Sequence, residues 1–350
     1  MQYLGIDWGT RKAAWCAIDD HGDMAEGSTS ADRDGLAKLV HKLGADVRGC
    51  VEMMSGAVWV RDQLTACGWE IQIAEPRKVK ALAPLACKTD RVDARVLAEL
   101  VRRDLVPELW VPSLSDRELR ETLRRRTHLV RLRTSATNRA FGLLTQWGLR
   151  VSLTTLRKPE AFELLSERGV PAVWLQSIRT LLSVIDDLDR QIVPIERELR
   201  PLAHDNEQVR LLMTIPGVAE LLGLTLLAEI GDVSRFPSAR RLVGYSGLAP
   251  TIKQSGQSSR TGPISKAGPS TLRWAAIEAA QGAWRPTNPW YRLYVETKQR
   301  HGKASPAKAA VARKVLIASW HVLARNEPFK RSASSATTDV PASSSIRLAF

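Results

Sequence analysis

Residues 1–111 switch repeatedly between a two-residue and a three-to-four-residue apolar period, and this alternation restricts the available folds more than any other feature. Strands are predicted over 3–7 and 13–18, with a turn at Asp19-Asp20-His21-Gly22 and a shorter strand over 24–28. A helix over 34–43 and a strand over 47–53 follow. A helix over 58–67, a strand over 69–74 and a helix over 89–103 complete the block. An ordinary doubly wound fold would place a helix directly after the first strand.

Three meandering strands and then helix–strand–helix–strand–helix is the element order of a ribonuclease-H-like α/β domain, expected over 1–112. Residues 113–203 are expected to form a helical coiled-coil arm. Residues 204–328 are expected to form a mostly α domain with a helix-hairpin-helix, and 329–350, poor in apolar residues, a disordered tail.

Composition limits the function classes. The 350 residues hold 51 Lys+Arg against 37 Asp+Glu, a formal charge of +14. A surplus of this size favours an anionic partner, with nucleic acid first among the candidates. No run approaches the roughly 18 apolar residues of a membrane span. The beginning, MQYLGIDWGT, lacks a basic segment followed by an apolar core. A cytoplasmic protein without a membrane partner is expected, nucleoid-associated when acting. Cys16, Cys50, Cys67 and Cys87 form no CxxC pair and are expected as free thiols.

Four carboxylates stand where chemistry can use them. Asp7 ends the first strand, Glu52 lies near the end of another, and Asp90 and Asp93 are three apart on one helix face. Such a set can hold two Mg²⁺, a hard cation that prefers oxygen ligands. Two ions about 3.5–4 Å apart stabilise the attacking and leaving oxygens of a phosphodiester. Each acid also has an ordinary reading: Asp before Gly as a turn residue, or Asp93 paired with Arg91 or Arg95. GIDWGT fits the phosphate loop of actin-like kinases and chaperone ATPases too. Their second Asp-Gly loop and adenosine-binding glycine motif are missing, as is GxxxxGK[ST].

Residues 116–150 carry nine arginines, no lysine and only Asp116, Glu118 and Glu121 as acids. Arg124, Arg125, Arg126, Arg131 and Arg133 are candidate RNA or DNA contacts. A second helix over 172–199 shows a heptad seam at Ile178, Leu181, Ile185, Leu188, Ile192, Ile195 and Leu199, with Pro194 expected to kink or restart it. The two helices are expected as an antiparallel arm, or a dimer contact, between two globular parts. Trp8, Trp147, Trp274 and Trp284 are candidates for stacking on bases.

Further on, LMTIPGV at 212–218 joins two helical stretches through a Pro-Gly turn. AEIGD follows at 228–232, and exposed amides of such a turn can hold a phosphate. Residues 244–269 read as a flexible Gly/Ser/Pro loop with Lys253, Arg260 and Lys266, followed by Arg273. Glycines allow close approach to a phosphate and the cations offset its charge. A serine hydroxyl there can attack phosphorus and conserve the bond energy as a phosphoserine ester.

Four stretches together resemble the DEDD transposases of the insertion-sequence-110 family: GIDWGT, VEMMSG around Glu52, KTDRVDA at 88–94, and a block containing IPGV, LLAEIGD, SGLAP and ISKAG. The resemblance implies a RuvC-like nuclease domain of ribonuclease-H fold, a coiled-coil linker and a transposase domain. By motif match, Asp7, Glu52, Asp90 and Asp93 correspond to the Mg²⁺-binding acids. The nucleophilic serine precedes a glycine in the loop after GLAP, which selects Ser255. The family usually shows Ser-Ser-Gly-Gly-Lys there, whereas this chain has Gln254-Ser255-Gly256-Gln257-Ser258. Ser258 and Ser259 therefore remain candidate nucleophiles, and Arg260 or Lys266 candidates for the missing cation.

The resemblance also implies a guide (bridge) noncoding RNA that pairs with target and donor DNA. It implies a homo-oligomer, dimer or tetramer, in which the acids of one subunit meet the serine of another. The function expected is that of a transposase or recombinase that cuts and rejoins DNA strands through a serine–DNA intermediate. The alternatives are a RuvC-like Mg²⁺-dependent junction-resolving nuclease using the acids alone, or a catalytically inactive nucleic-acid-binding scaffold.

Overall fold

The computed structural model describes residues 1–83, 89–255 and 258–330, and side chains outside 252–261. These residues fall into two compact units, Met1–Ser113 and a second that begins at Leu114.

In the first unit, β1 (Gln2–Trp8), β2 (Lys12–Asp19) and β3 (Met24–Ser30) form a meander. Then come α1 (Arg33–Leu43), β4 (Val47–Glu52), α2 (Ala57–Ala66), β5 (Glu70–Ala74), α3 (Pro76–Leu82) and α4 (Asp90–Arg102). The sheet order is β3-β2-β1-β4-β5, antiparallel within the meander and parallel from β1 through β4 to β5. This mixed sheet is consistent with the ribonuclease-H-like expectation. The sequence pattern misses α3, a seven-residue helix whose Arg77, Lys78 and Lys80 mask its apolar period.

Strand alternation divides the core into two unlike faces. Leu4, Ile6 and Trp8 pack with Leu36 and Leu39 of α1 and Val60 and Leu64 of α2. The opposite face is paved with small residues, Gly5, Ala14, Cys16 and Cys50, on which Ala94, Leu97 and Ala98 of α4 lie. A Cβ at Gly5 would stand 2.1 Å from the Ala94 carbonyl oxygen. The helix therefore rests on the strand backbone, an approach that only glycine permits. Thr89 caps α4 by accepting a hydrogen bond from Val92 N at 3.3 Å. Burial pushes the Cys16 thiol up to about 11 and raises the Cys50 thiol as well, so both are inert packing groups. Cys67 is a free, exposed thiol, and Cys87 lies outside the described residues.

The second unit opens with α5 (Leu114–Thr145), α6 (Leu153–Leu156), α7 (Ala161–Glu167) and α8 (Ala172–Asp205). It continues through α9 (Glu207–Met213), α10 (Glu220–Ile230), α11 (Ala239–Tyr245), β6 (Pro250–Ser255) and β7 (Ser258–Ile264). Helices α12 (Ser270–Ala279), α13 (Tyr291–His301) and α14 (Ala304–Arg325) follow.

Helices α5 and α8 pair antiparallel. Leu123 near the start of α5 packs with Ile195, Leu199 and Ala203 near the end of α8, and Leu143 and Leu144 pack with Ile178, Leu182 and Ile185. Two corrections apply to the expected seam. Leu182, not Leu181, is its buried member, and no new helix begins at Pro194, since α8 continues past both Pro194 and Pro201. Pro194 sits on the exposed side, where water can satisfy the carbonyl it strands, while Ile192 and Ile195 stay buried. Val209, Leu224 and Ala228 join the foot of this pair, so its base shares a core with α9 and α10.

The C-terminal core is built around α14, which buries Ala307, Val311, Val315, Leu316 and Val322 among α10, α11 and α12. The stretch expected as a flexible loop is a β-hairpin, β6 paired antiparallel with β7.

Candidate active site

The acids converge on one end of the first unit's sheet. Parallel pairing of β1 with β4 runs to Ile6–Val51, so Asp7 and Glu52 follow side by side at the strand ends. Asp7 shares the face of Gly5, and Glu52 that of Cys50, which is the face covered by α4. The helix runs counter to β1: Tyr3 packs near Val101 and Gly5 under Ala94. Two residues further along the strand, Asp7 comes level with the first turn of α4, which carries Asp90 and Asp93. The small-residue face thus decides where the acids sit, because it lets α4 approach closely enough for its first turn to reach the strand ends.

Glu52 and Asp93 line one cleft of ≈ 270 Å³, together with Arg77 and Lys80 of α3. The two cations, three apart on the helix missed in the sequence, are new members of the site. Their signal was present as a basic pair just after the Pro76 that starts α3. Asp7 and Glu52 are half-buried and Asp90 is exposed. The donor set, carboxylate oxygens with no sulfur or imidazole, suits a hard divalent cation. Among the described residues, no three His, Cys, Asp or Glu side chains are grouped closely enough to hold a metal ion. Asp7 and Glu52 lie at the ends of neighbouring strands and Glu52 and Asp93 share a cleft, but the four acids do not form a ligand set.

In the second unit, the hairpin puts the candidate serines at its tip. Ser255 ends β6, Ser258 begins β7, and the two are register partners, as are Gln254 with Ser259 and Lys253 with Arg260. The side chains of these residues lie outside the described set. The hairpin base is well tied. Ser265 N donates to Ala249 O at 2.9 Å and Lys266 N to Gly247 O at 3.0 Å. Arg273 Nη1 donates to the carbonyls of Ser246 at 3.1 Å and Lys266 at 3.3 Å. Arg273 thus clamps the hairpin root, and Lys266 is exposed with a left-handed φ of 54°.

Known proteins resemble the chain over nearly its whole length. A family model for DEDD transposases of the IS110 type matches residues 4–148, and a second, "Transposase IS116/IS110/IS902 family", matches 209–296. The pilin gene-inverting protein of Moraxella bovis is 30% identical over 347 residues, covering 94% of this chain and 98% of that relative. The chain belongs to the IS110 family of transposases. The transposase for insertion sequence element IS1111A of Coxiella burnetii is 28% identical over 343 residues, spanning 94% and 92% of the two chains. The two models enclose the acids on one side and the hairpin on the other.

Several arginines of this transposase hold its own helices together. Buried Arg120 donates to Ala228 O at 2.7 Å and Glu229 O at 3.3 Å, covering the open end of α10. Arg124 pairs at 2.9 Å with Glu229, which is only 2% exposed. Arg126 reaches Glu196 at 2.9 Å and Arg133 reaches Asp189 at 2.7 Å, tying α5 to α8. Arg125 and Arg131 are exposed.

The tryptophans divide similarly. Trp8 is a core residue at 4% exposure, packed against Trp59, and Trp274 is half-buried against the C-terminal core. Trp147 is partly exposed and meets Trp174 edge to face. Trp284 is 57% exposed beside the Arg285 guanidinium. The Pro-Gly turn after α9 buries Ile215 and Val218 and presses Gly217 onto Ala279 O. Among the described residues, no helix is long and apolar enough to cross a membrane.

Proposed function

We propose that this transposase exchanges DNA strands through a covalent serine–DNA ester, with the carboxylates of its N-terminal domain assisting at the scissile phosphate. The convergence of Asp7, Glu52 and the first turn of α4 at one sheet end carries this reading. Asp7, Glu52, Asp90 and Asp93, which as placed do not close on one ion, would hold Mg²⁺ once bound phosphate draws them together, and the ion would supply charge stabilisation to phosphate oxygens. Arg77 and Lys80, lining the same cleft, orient the phosphate beside the acids. Ser255 attacks phosphorus; its new O–P bond replaces one P–O bond of the strand, the serine proton is lost and the departing sugar oxygen leaves as a free hydroxyl, so that an incoming strand hydroxyl can later attack the ester and release the serine without ATP. Lys253 and Arg260 are register partners in the hairpin, and both residue types carry the charge that suits a phosphate.

The guiding partner in this reading is a noncoding bridge RNA, with base pairing supplying sequence specificity. Support comes from the family and from a basic surface with exposed Arg125 and Arg131, suited to backbones rather than base edges. A homo-oligomer, dimer or tetramer, brings the duplexes together. The domains follow as a RuvC-like nuclease of ribonuclease-H type, a coiled-coil arm, and a transposase domain with helix-hairpin-helix and serine hairpin. The gene-inverting relative acts, by its name, on a gene segment, and strand exchange is a chemistry that serves both inversion and transposition.

A suicide DNA substrate tests the mechanism. The wild-type chain is expected to give a covalent protein–DNA adduct that is lost in Ser255→Ala. Asp7→Asn should lower adduct formation by at least about 100-fold while leaving the folded state intact. Free 5′-phosphate ends without an adduct would show hydrolysis by the acids alone.

A further inference from the structure

The last helix carries a pocket that the proposed chemistry does not use. A cavity of ≈ 250 Å³ opens on the C-terminal part of α14, walled by Trp290 and Phe329 and lined also by Lys314, His321, Arg325, Glu327 and Lys330. The two aromatic rings stand 5.7 Å apart, tilted at 55°. Phe329 is held there because its backbone N–H donates to Thr214 Oγ1 at 2.8 Å. Lys330 is ion-paired with Glu327 at 2.8 Å and Arg325 acts electrostatically on the same carboxylate, whereas Lys314 has no ion pair among the described residues. Residues 297–326 include Lys298, Arg300, Lys303, Lys308, Arg313, Lys314 and Arg325 and not one acid.

We infer that this pocket takes one unstacked nucleotide of a single-stranded segment of bound nucleic acid. Its base lies against Trp290 and Phe329, and its phosphates meet Lys314 and Arg325. The cavity has room for a base beside the two rings. Aromatic walls beside cations are the combination that single strands bind, since every base has a π face and every linkage a charge. The acid-free stretch from α13 into α14 supplies a track along which the strand approaches. The inference rests on the reading of the chain as a nucleic-acid enzyme. It adds a site distinct from the acids, the serine hairpin and the α5 arginines.

Fluorescence anisotropy with the full-length protein tests it, using a labelled 12-nucleotide DNA strand, an RNA strand of the same length and a DNA duplex. The double variant Lys314→Gln/Arg325→Gln is expected to weaken single-strand binding at least about tenfold, with a smaller effect on the duplex. Phe329→Ala, near the chain surface, should weaken it at least about fivefold. Ultraviolet crosslinking should attach the strand to the peptide containing Trp290 or Phe329, and whichever of DNA or RNA crosslinks there is the natural occupant. Unchanged single-strand affinity in these variants, with strong overall binding, would overturn the pocket and leave the proposed function standing. Absence of any strand or duplex binding by the wild-type chain would overturn both.

Discussion

Gly5 has no side chain because the Ala94 carbonyl occupies the place where one would stand. Gly5→Ala is therefore expected to push α4 off the sheet and cost about 3 kcal/mol, read as a lower denaturant midpoint at unchanged m. It should also lower strand cleavage, since the first turn of α4 would no longer stand level with Asp7. At this scale the sequence was informative about the acids and poor about their neighbours. A carboxylate ending an apolar strand is visible without a structure, whereas Trp8 one residue later reads equally as a base-stacking ring or as core. The ion pairs of Arg124, Arg126 and Arg133 were illegible, because their partners lie 105, 70 and 56 residues away.

Among the elements, the α5–α8 pair gives a pH-dependent test. Burial works to raise the Asp189 carboxyl, but hydrogen bonds from Arg133 and Arg157 outweigh it and hold the group below the ordinary carboxylate value. A depressed folded-state value means that the stabilisation is present above the ordinary value of about 4 and is lost as pH falls through the folded one. Asp189→Asn is thus expected to lower Tm at pH 7, and the gap from wild type should narrow as the pH drops below about 4. A gap that stays constant with pH would assign Asp189 no electrostatic role.

Elements with strong apolar periods were legible, including the three-strand meander and both long helices. Pro194 misled because packing of Ile192, Ile195 and Leu199 outweighs the one backbone bond the proline removes. The hairpin was missed because Pro250–Ser255 and Ser258–Ile264 contain few apolar residues, leaving no two-residue hydrophobic signal. Its remaining signal was the short Gly-containing connection between them.

For the molecule as a whole, a charge of +14 implies that nucleic-acid affinity is largely counterion release. If roughly six phosphates are neutralised, affinity should fall about 10³-fold between 50 and 200 mM salt, measured by anisotropy on duplex DNA. A nearly flat dependence would mean that the surplus charge is not directed at backbones. The strand-exchange claim itself is tested most directly by locating the covalent bond. Trypsin cleaves after Lys253 and Arg260, releasing one short peptide that contains Ser255, Ser258 and Ser259. Mass spectrometry of the chain trapped on a suicide substrate is expected to find a nucleotide on that peptide at Ser255, and none in Ser255→Ala. An unmodified peptide beside fully cleaved DNA would contradict the claim and leave hydrolysis by the carboxylates as the chemistry.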